Sequence, residues 1–248
     1  MNCLSGLLYP APNYHVPSPP PAPFEEVMLE AAGERIHAYA HWGDGTGPVL
    51  LYFHGNGENL GTMLASRLLD DFLERGISFL TLDYPGYGRS TGRPGEDRTR
   101  AAGLAGLEYI KKKYPNRPVV IGGWSLGAAV AMQTAGAAEG RYDALALLSP
   151  WATLKETAGV HGMAWLRFLL SDRYDSRAVA REARVPVLIV HGEEDTLIPA
   201  SQGIALSKEF PNQNQVRLIT LSGVGHNDLL GRKQTRDELS ALIERAGR

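Results

Sequence analysis

Cysteine is almost absent. The chain of 248 residues holds a single one, Cys3, so no intramolecular disulfide and no cysteine-based zinc site is possible within it. That usage fits a reducing compartment, and the cytoplasm is the expected location. A charge excess is missing as well: 25 Lys and Arg stand against 27 Asp and Glu, a net charge of −2. No basic surplus advertises nucleic acid or an anionic membrane, so neither is an expected partner. No apolar run approaches the roughly 18 residues of a membrane span. The short run from Leu4 to Tyr9 has no basic segment before it and is too short for the core of a signal peptide. The chain does not begin Met-Gly, so myristoylation is not expected. Cys3 reads as a free thiol on a loose terminus. No H-E-x-x-H motif or carboxylate cluster suggests a metal, and no other cofactor is expected.

Proline is abundant at one place. Pro10, Pro12, Pro17, Pro19, Pro20, Pro21 and Pro23 forbid helix there and favour extended backbone. Residues 1–23 are therefore expected to form an arm, laid on the domain by Leu7, Leu8, Tyr9 and Tyr14. Residues 24–248 read as a single domain. Phe24–Ala31 and Arg35–Trp42 form a predicted hairpin around Ala32-Gly33-Glu34. Ile36, Ala38, Ala40 and Trp42 give its second run a period of two, as in a half-covered strand.

Short apolar runs follow at Val49–Phe53, Ile77–Leu82, Pro118–Ile121, Ala144–Leu148, Val185–Val190 and Val216–Leu221. Such runs suit strands buried on both faces of a parallel sheet. Helical spacing lies between them. Leu60, Leu64, Leu68, Leu69, Phe72 and Leu73 mark one helix, and Leu104, Leu107, Tyr109 and Ile110 mark another that stops before Pro115. The fold class is α/β: a mostly parallel sheet of about eight strands, an N-terminal antiparallel hairpin and helices on both faces. The stretch at about 151–175 is too apolar for a solvated loop and reads as a short cap insertion. Trp151, Trp165, Phe168 and Leu169 are its candidate substrate-pocket residues.

The most informative segment is Gly123-Trp124-Ser125-Leu126-Gly127, a G-x-S-x-G directly after a strand and before an alanine-rich helix. A serine on a sharp strand-to-helix turn projects its hydroxyl from the sheet edge, and the crowded flanks must be small. Gly122 to Gly127 also satisfies G-x-x-x-x-G. Ala128 and Ala129, however, stand where a phosphate loop needs Lys and Ser or Thr, so a nucleoside triphosphate site is rejected.

A serine nucleophile needs a base, and the base needs an orienting carboxylate. His226 lies in a glycine-rich loop after the last strand and is the expected base. Asp195 follows the preceding strand and is the expected acid, with Glu194 as fallback and Asp228 too near His226 in sequence to orient it. His37, His41 and His161 read as surface or packing residues. The backbone N–H groups of Asn56 and Leu126 are the expected oxyanion hole, with His54 shaping the loop. Asp83 and Ser90, in the glycine-rich loop after the strand ending at Leu82, read as structural.

With these residues in order, the sequence resembles an α/β-hydrolase-fold serine hydrolase. The resemblance rests on His54-Gly55-Asn56-Gly57, on Asp83-Tyr84-Pro85-Gly86-Tyr87-Gly88-Arg89-Ser90 and on the Ser125 pentapeptide. Leu148-Ser149-Pro150, His191-Gly192 through Pro199, and Gly225-His226 complete it. Leu7-Leu8-Tyr9-Pro10 and His54-Gly55-Asn56 resemble a small-cap branch of esterases, lysophospholipase-like enzymes and depalmitoylases. The resemblance implies hydrolysis of carboxylic esters or thioesters, with a small-molecule or lipid-like ester as substrate. It leaves acyl length, leaving group, oligomeric state and the choice among esterase, thioesterase, lipase and peptidase open.

Two other readings stay beside this one. A non-catalytic binding protein on a hydrolase fold would not need nucleophile, acid and base together. An NAD(P)-dependent reductase would use the glycines of Gly55–Gly61, Asp83 as the ribose acid and a Tyr109-x-x-x-Lys113 pair.

Overall fold

The architecture comes from a computed structural model that describes residues 9–154, 156 and 173–248. Cys3, His161, Trp165, Phe168 and Leu169 lie outside the described residues. The strands are β1 (Glu25–Ala31), β2 (Glu34–His41), β3 (Val49–Phe53), β4 (Ser78–Leu82), β5 (Val119–Trp124), β6 (Ala144–Leu148), β7 (Val187–Gly192) and β8 (Val216–Leu221). They form one sheet in the order β1-β2-β4-β3-β5-β6-β7-β8. The β1–β2 and β2–β4 pairs are antiparallel, and the remaining pairs are parallel. Each parallel crossover needs a helix. The described helices are α1 (Leu60–Ala65), α2 (Leu68–Glu74), α3 (Glu96–Lys113), α4 (Leu126–Ala137), α5 (Ser176–Glu182), α6 (Ala200–Ser207) and α7 (Lys233–Ala246).

Strands β3 and β6 are apolar at every position because both faces are covered. Val49, Leu51 and Phe53 of β3 enter a core with α3 and α4, whereas Leu50 and Tyr52 enter a second core with α1, α2 and α7. β8 is an edge strand and is only partly buried; its Arg217 pairs with Glu238 of α7.

Two expectations need correction. The run from Leu60 to Leu73 is two helices, not one. Ser66 ends α1, and Arg67 takes a left-handed conformation at φ 62°. In one straight helix, Leu60 and Leu69 are nine positions apart and would point about 180° from each other. Both are fully buried in the same core, and the break re-aims the second pair of turns to achieve this. The second correction concerns β2, which is covered on both faces. Its Tyr39 and His37 are as buried as Ile36, Ala38 and Ala40. The proline-rich segment supplies the second cover: Val16 and Phe24 pack in the same core as Tyr39, whose hydroxyl donates to the Pro17 carbonyl. The same segment reaches α1, where Asn59 Nδ2 donates to the Tyr14 carbonyl at 2.9 Å.

Candidate active site

The parallel strands deliver the candidate residues to one edge of the sheet. Asn56 follows β3, Ser125 follows β5, Asp195 follows β7 and His226 follows β8, all beyond the carboxyl ends. That edge is where open parallel sheets place their ligands.

Ser125 sits on the turn between β5 and α4 with φ 58° and ψ −119°. Such backbone costs a non-glycine residue on the order of 1–3 kcal/mol, so the surroundings must enforce it. They do so by close approach. Ser125 N–H donates to the Leu148 carbonyl of β6 at 2.9 Å. A Cβ on Gly123 would lie 2.7 Å from the Phe53 carbonyl oxygen, and one on Gly127 would lie 2.7 Å from that of His54. The glycines flanking the serine are therefore required by the end of β3, whose continuation carries Asn56. Leu126 is the first residue of α4, so its N–H has no carbonyl partner within the helix.

Asp195 is buried and accepts a group of N–H donors. Oδ1 takes Leu197 N–H at 3.0 Å and Ile198 N–H at 2.7 Å. Oδ2 lies 2.7 Å from His226 Nδ1 and 3.4 Å from His191 Nε2. Burial opposes ionisation here. The hydrogen bonds from His191, His226 and the Ile198 backbone overcome it and hold the carboxyl well below the usual range. The ionised carboxylate accepts only, so His226 carries its proton on Nδ1. Its Nε2 then accepts from Ser125 Oγ, 3.0 Å away. This brings Ser125, His226 and Asp195 together in one hydrogen-bonded chain.

The loops of acid and base are also joined to each other. Glu193 N–H donates to Leu221 O at 2.9 Å, and Glu194 N–H donates to Val224 O at 3.0 Å. Gly192 comes so close to Val224 that a Cβ would overlap its carbonyl. Glu194 itself is exposed, and Asp228 is engaged with Gly225 N–H of its own loop at 3.2 Å.

Asn56 lies on the loop after β3, and its Oδ1 accepts from the buried Tyr87 hydroxyl at 2.8 Å. Burial pushes the Tyr87 phenol up, so it stays protonated and able to donate. His54 Nδ1 lies 2.8 Å from the Gly55 carbonyl, consistent with a role in shaping the loop. Asp83 is fully buried; its Oδ1 accepts Leu60 N–H at 2.9 Å, and Ser90 Oγ donates to its carbonyl at 2.8 Å. These are structural contacts.

They also remove the reductase reading. The Asp83 carboxylate is sealed from any ribose. Gly61, in the first turn of α1 at the end of that glycine loop, is covered by the His15 backbone. Lys113 stacks over Trp42 at 5.0 Å from its ring centre and pairs with Glu25 at 3.4 Å.

Three side chains at the site were not singled out from sequence. Trp124 places its indole 5.0 Å from the His226 ring, at 35° to it. His191 is the second imidazole beside Asp195, and Tyr87 holds Asn56. The only sequence signals for them are position: Trp124 adjoins the serine, and His191 ends a strand four residues before the acid. Trp151 is buried and packs edge-on against Tyr174, their ring centres 6.3 Å apart. The chain departs and returns beside it, since Leu154 N–H donates to Arg173 O at 3.1 Å and Ser176 N–H to Ala152 O at 3.0 Å. Among the described residues no cluster of His, Cys, Asp and Glu would hold a metal ion. Among the same residues no helix is long and apolar enough to cross a membrane.

Comparison with known proteins places this geometry in context. The family profile of serine aminopeptidase S33 matches residues 46–179, which include the Ser125 turn. An uncharacterised protein of Mycobacterium tuberculosis is 33% identical over 216 residues, covering 84% of this chain and 74% of the relative. The lysophosphatidylserine lipase ABHD12 of Danio rerio is 30% identical over 197 residues, covering 71% of this chain. The match takes in 52% of that lipase's own length. Among solved structures, the esterase Pf2001 of Pyrococcus furiosus superposes with a TM-score of 0.76 at 15% identity, over 95% of this chain and 97% of the esterase. That likeness is one of fold.

Proposed function

Because the chain belongs to the serine aminopeptidase S33 family of α/β-hydrolase-fold proteins, we propose that it is a serine hydrolase of carboxylic esters or thioesters. The observation that carries this reading is the chain of contacts from Ser125 Oγ through His226 to Asp195, at 3.0 Å and 2.7 Å. Ser125 Oγ attacks the acyl carbon while His226 Nε2 takes its proton. Asp195 holds the imidazole in the required tautomer and faces the imidazolium that forms. The backbone N–H groups of Leu126 and Asn56 receive the oxyanion. The tetrahedral adduct collapses, His226 returns the proton to the departing alcohol or thiol, and the acyl group remains on Ser125. Water then attacks this ester with His226 again as base, releasing the acid and restoring the serine.

The substrate is a small-molecule or lipid-like ester. The lipase name of a compared relative supports that class. The two ends of the insertion at about 151–175 leave and rejoin the domain side by side.

The test is hydrolysis of p-nitrophenyl esters and acyl thioesters over a series of chain lengths, with wild type and Ser125→Ala. Removing the nucleophile is expected to lower kcat by on the order of 10⁴–10⁶. Wild-type turnover by folded Ser125→Ala would reject the reading.

A further inference from the structure

Trp124 stands next to the nucleophile in sequence, yet its indole points to the base. The ring centres of Trp124 and His226 are 5.0 Å apart, with the planes inclined by 35°. The other edge of the indole meets the oxyanion loop. A Cβ on Gly55 would lie 2.5 Å from the six-membered ring of Trp124, so only glycine lets that ring reach this position. One rigid side chain thus touches both the loop that carries Asn56 and the imidazole that must gain a proton.

We propose that Trp124 is a positioning residue for His226, holding the imidazole between Ser125 and Asp195 and turning the face of its indole to the imidazolium that forms when His226 takes the serine proton. The inference rests on the triad reading above. An aromatic face attracts a cation within about 6 Å of its centre. The attraction is weak while His226 is neutral and appears when it takes the serine proton. It is therefore stronger in the transition state than in the ground state, as catalysis requires. The contact also limits swing of the ring away from Ser125. The titratable groups around the pair are Asp195 and His191 behind His226, Asp228 in its loop and Glu58, which accepts Gly55 N–H at 2.7 Å.

The experiment compares wild type, Trp124→Phe and Trp124→Leu by rate of labelling with a fluorophosphonate, a probe that needs an activated serine but no known substrate. Phe keeps an aromatic face; Leu keeps apolar bulk without one. Trp124→Leu is expected to label roughly 2- to 30-fold more slowly than wild type, with Trp124→Phe much nearer to wild type. Equal rates for the two folded variants would overturn the proposal, because bulk alone would then suffice. Wild type that does not label at all would instead overturn the triad reading, so the two failures are told apart.

A second readout needs no turnover and decides the matter if Trp124→Leu does not fold. A protonated imidazole against an indole quenches its fluorescence. The chain has four tryptophans, so the emission of Trp124 is taken as wild type minus Trp124→Phe. That difference is expected to fall on acidification in wild type, and the fall is expected to vanish in His226→Gln. Emission that does not respond to pH, or that responds equally without His226, would overturn the contact.

Discussion

Replacing Asp195 by Asn tests the tautomer argument with the smallest change of shape. Oδ1 of Asp195 is held by the N–H groups of Leu197 and Ile198, at 3.0 Å and 2.7 Å. The amide oxygen in Asp195→Asn takes that place, because an NH₂ group there would face two donors. The NH₂ group is left facing His226 Nδ1, where a carboxylate oxygen stood at 2.7 Å. His226 must then accept at Nδ1 and carry its proton on Nε2. That nitrogen now donates to Ser125 Oγ and is unable to take its proton. The geometry survives while the chemistry is reversed, and a loss of about 10⁴ in kcat is expected, with little change in KM. The assay is initial-rate hydrolysis of whichever ester wild type turns over fastest, with far-UV circular dichroism to show that the variant is folded. A folded Asp195→Asn within tenfold of wild-type kcat would refute the reasoning.

Other outcomes follow from the same contacts. The Asp195 carboxyl is held low in the folded state, so its stabilising contribution is complete above an unfolded carboxyl's value of about 4 and is lost as pH falls toward the native value. Urea unfolding should accordingly show a shallower loss of stability below about pH 4 in Asp195→Asn than in wild type, and identical slopes would contradict this. Gly127→Ala forces a Cβ against the Phe53 and His54 carbonyls, so a loss of about 3 kcal/mol or more is expected, whereas Gly57→Ala meets nothing and should stay within about 0.5 kcal/mol. Equal midpoints in urea for the two variants would contradict the close-approach argument. Tyr87→Phe removes the hydroxyl on Asn56 Oδ1 and is expected to lower kcat by about 2- to 10-fold with KM little changed, a fall that steady-state kinetics will show or exclude.

What was legible in the sequence was local. A strand buried on both faces is mostly apolar, and β3 and β6 begin and end where the apolar runs do, as does the partly buried edge strand β8. The turn at Ser125 was legible because few residues fit it. Gly127 is demanded by the Phe53 carbonyl of another strand, and Gly123 by that carbonyl and by the Gly127 backbone, yet both appear beside the serine in the chain. Asp195 and His226 were legible through chain order, each lying just beyond a strand. What depended on tertiary partners was not legible. The alternation in β2 suggested one exposed face because nothing in Glu34–His41 records that Val16, Pro17 and Phe24 return to cover it. The break at Arg67 reflects a need to bury Leu60 and Leu69 in the same core, which no helical repeat in the sequence reveals. Trp124 and His191 act through space on residues 102 and 4 positions away, His226 and Asp195 respectively, and only the packed structure brings Trp124 to its partner.

The most direct test of the central claim is the site of covalent modification. Wild type is treated with a fluorophosphonate, digested and sequenced by tandem mass spectrometry, alongside Ser125→Ala and His226→Gln. The account predicts an adduct on the Ser125 hydroxyl in wild type, none in Ser125→Ala and strongly slowed labelling in His226→Gln. An adduct on any other residue, or none on folded wild-type protein, would contradict it.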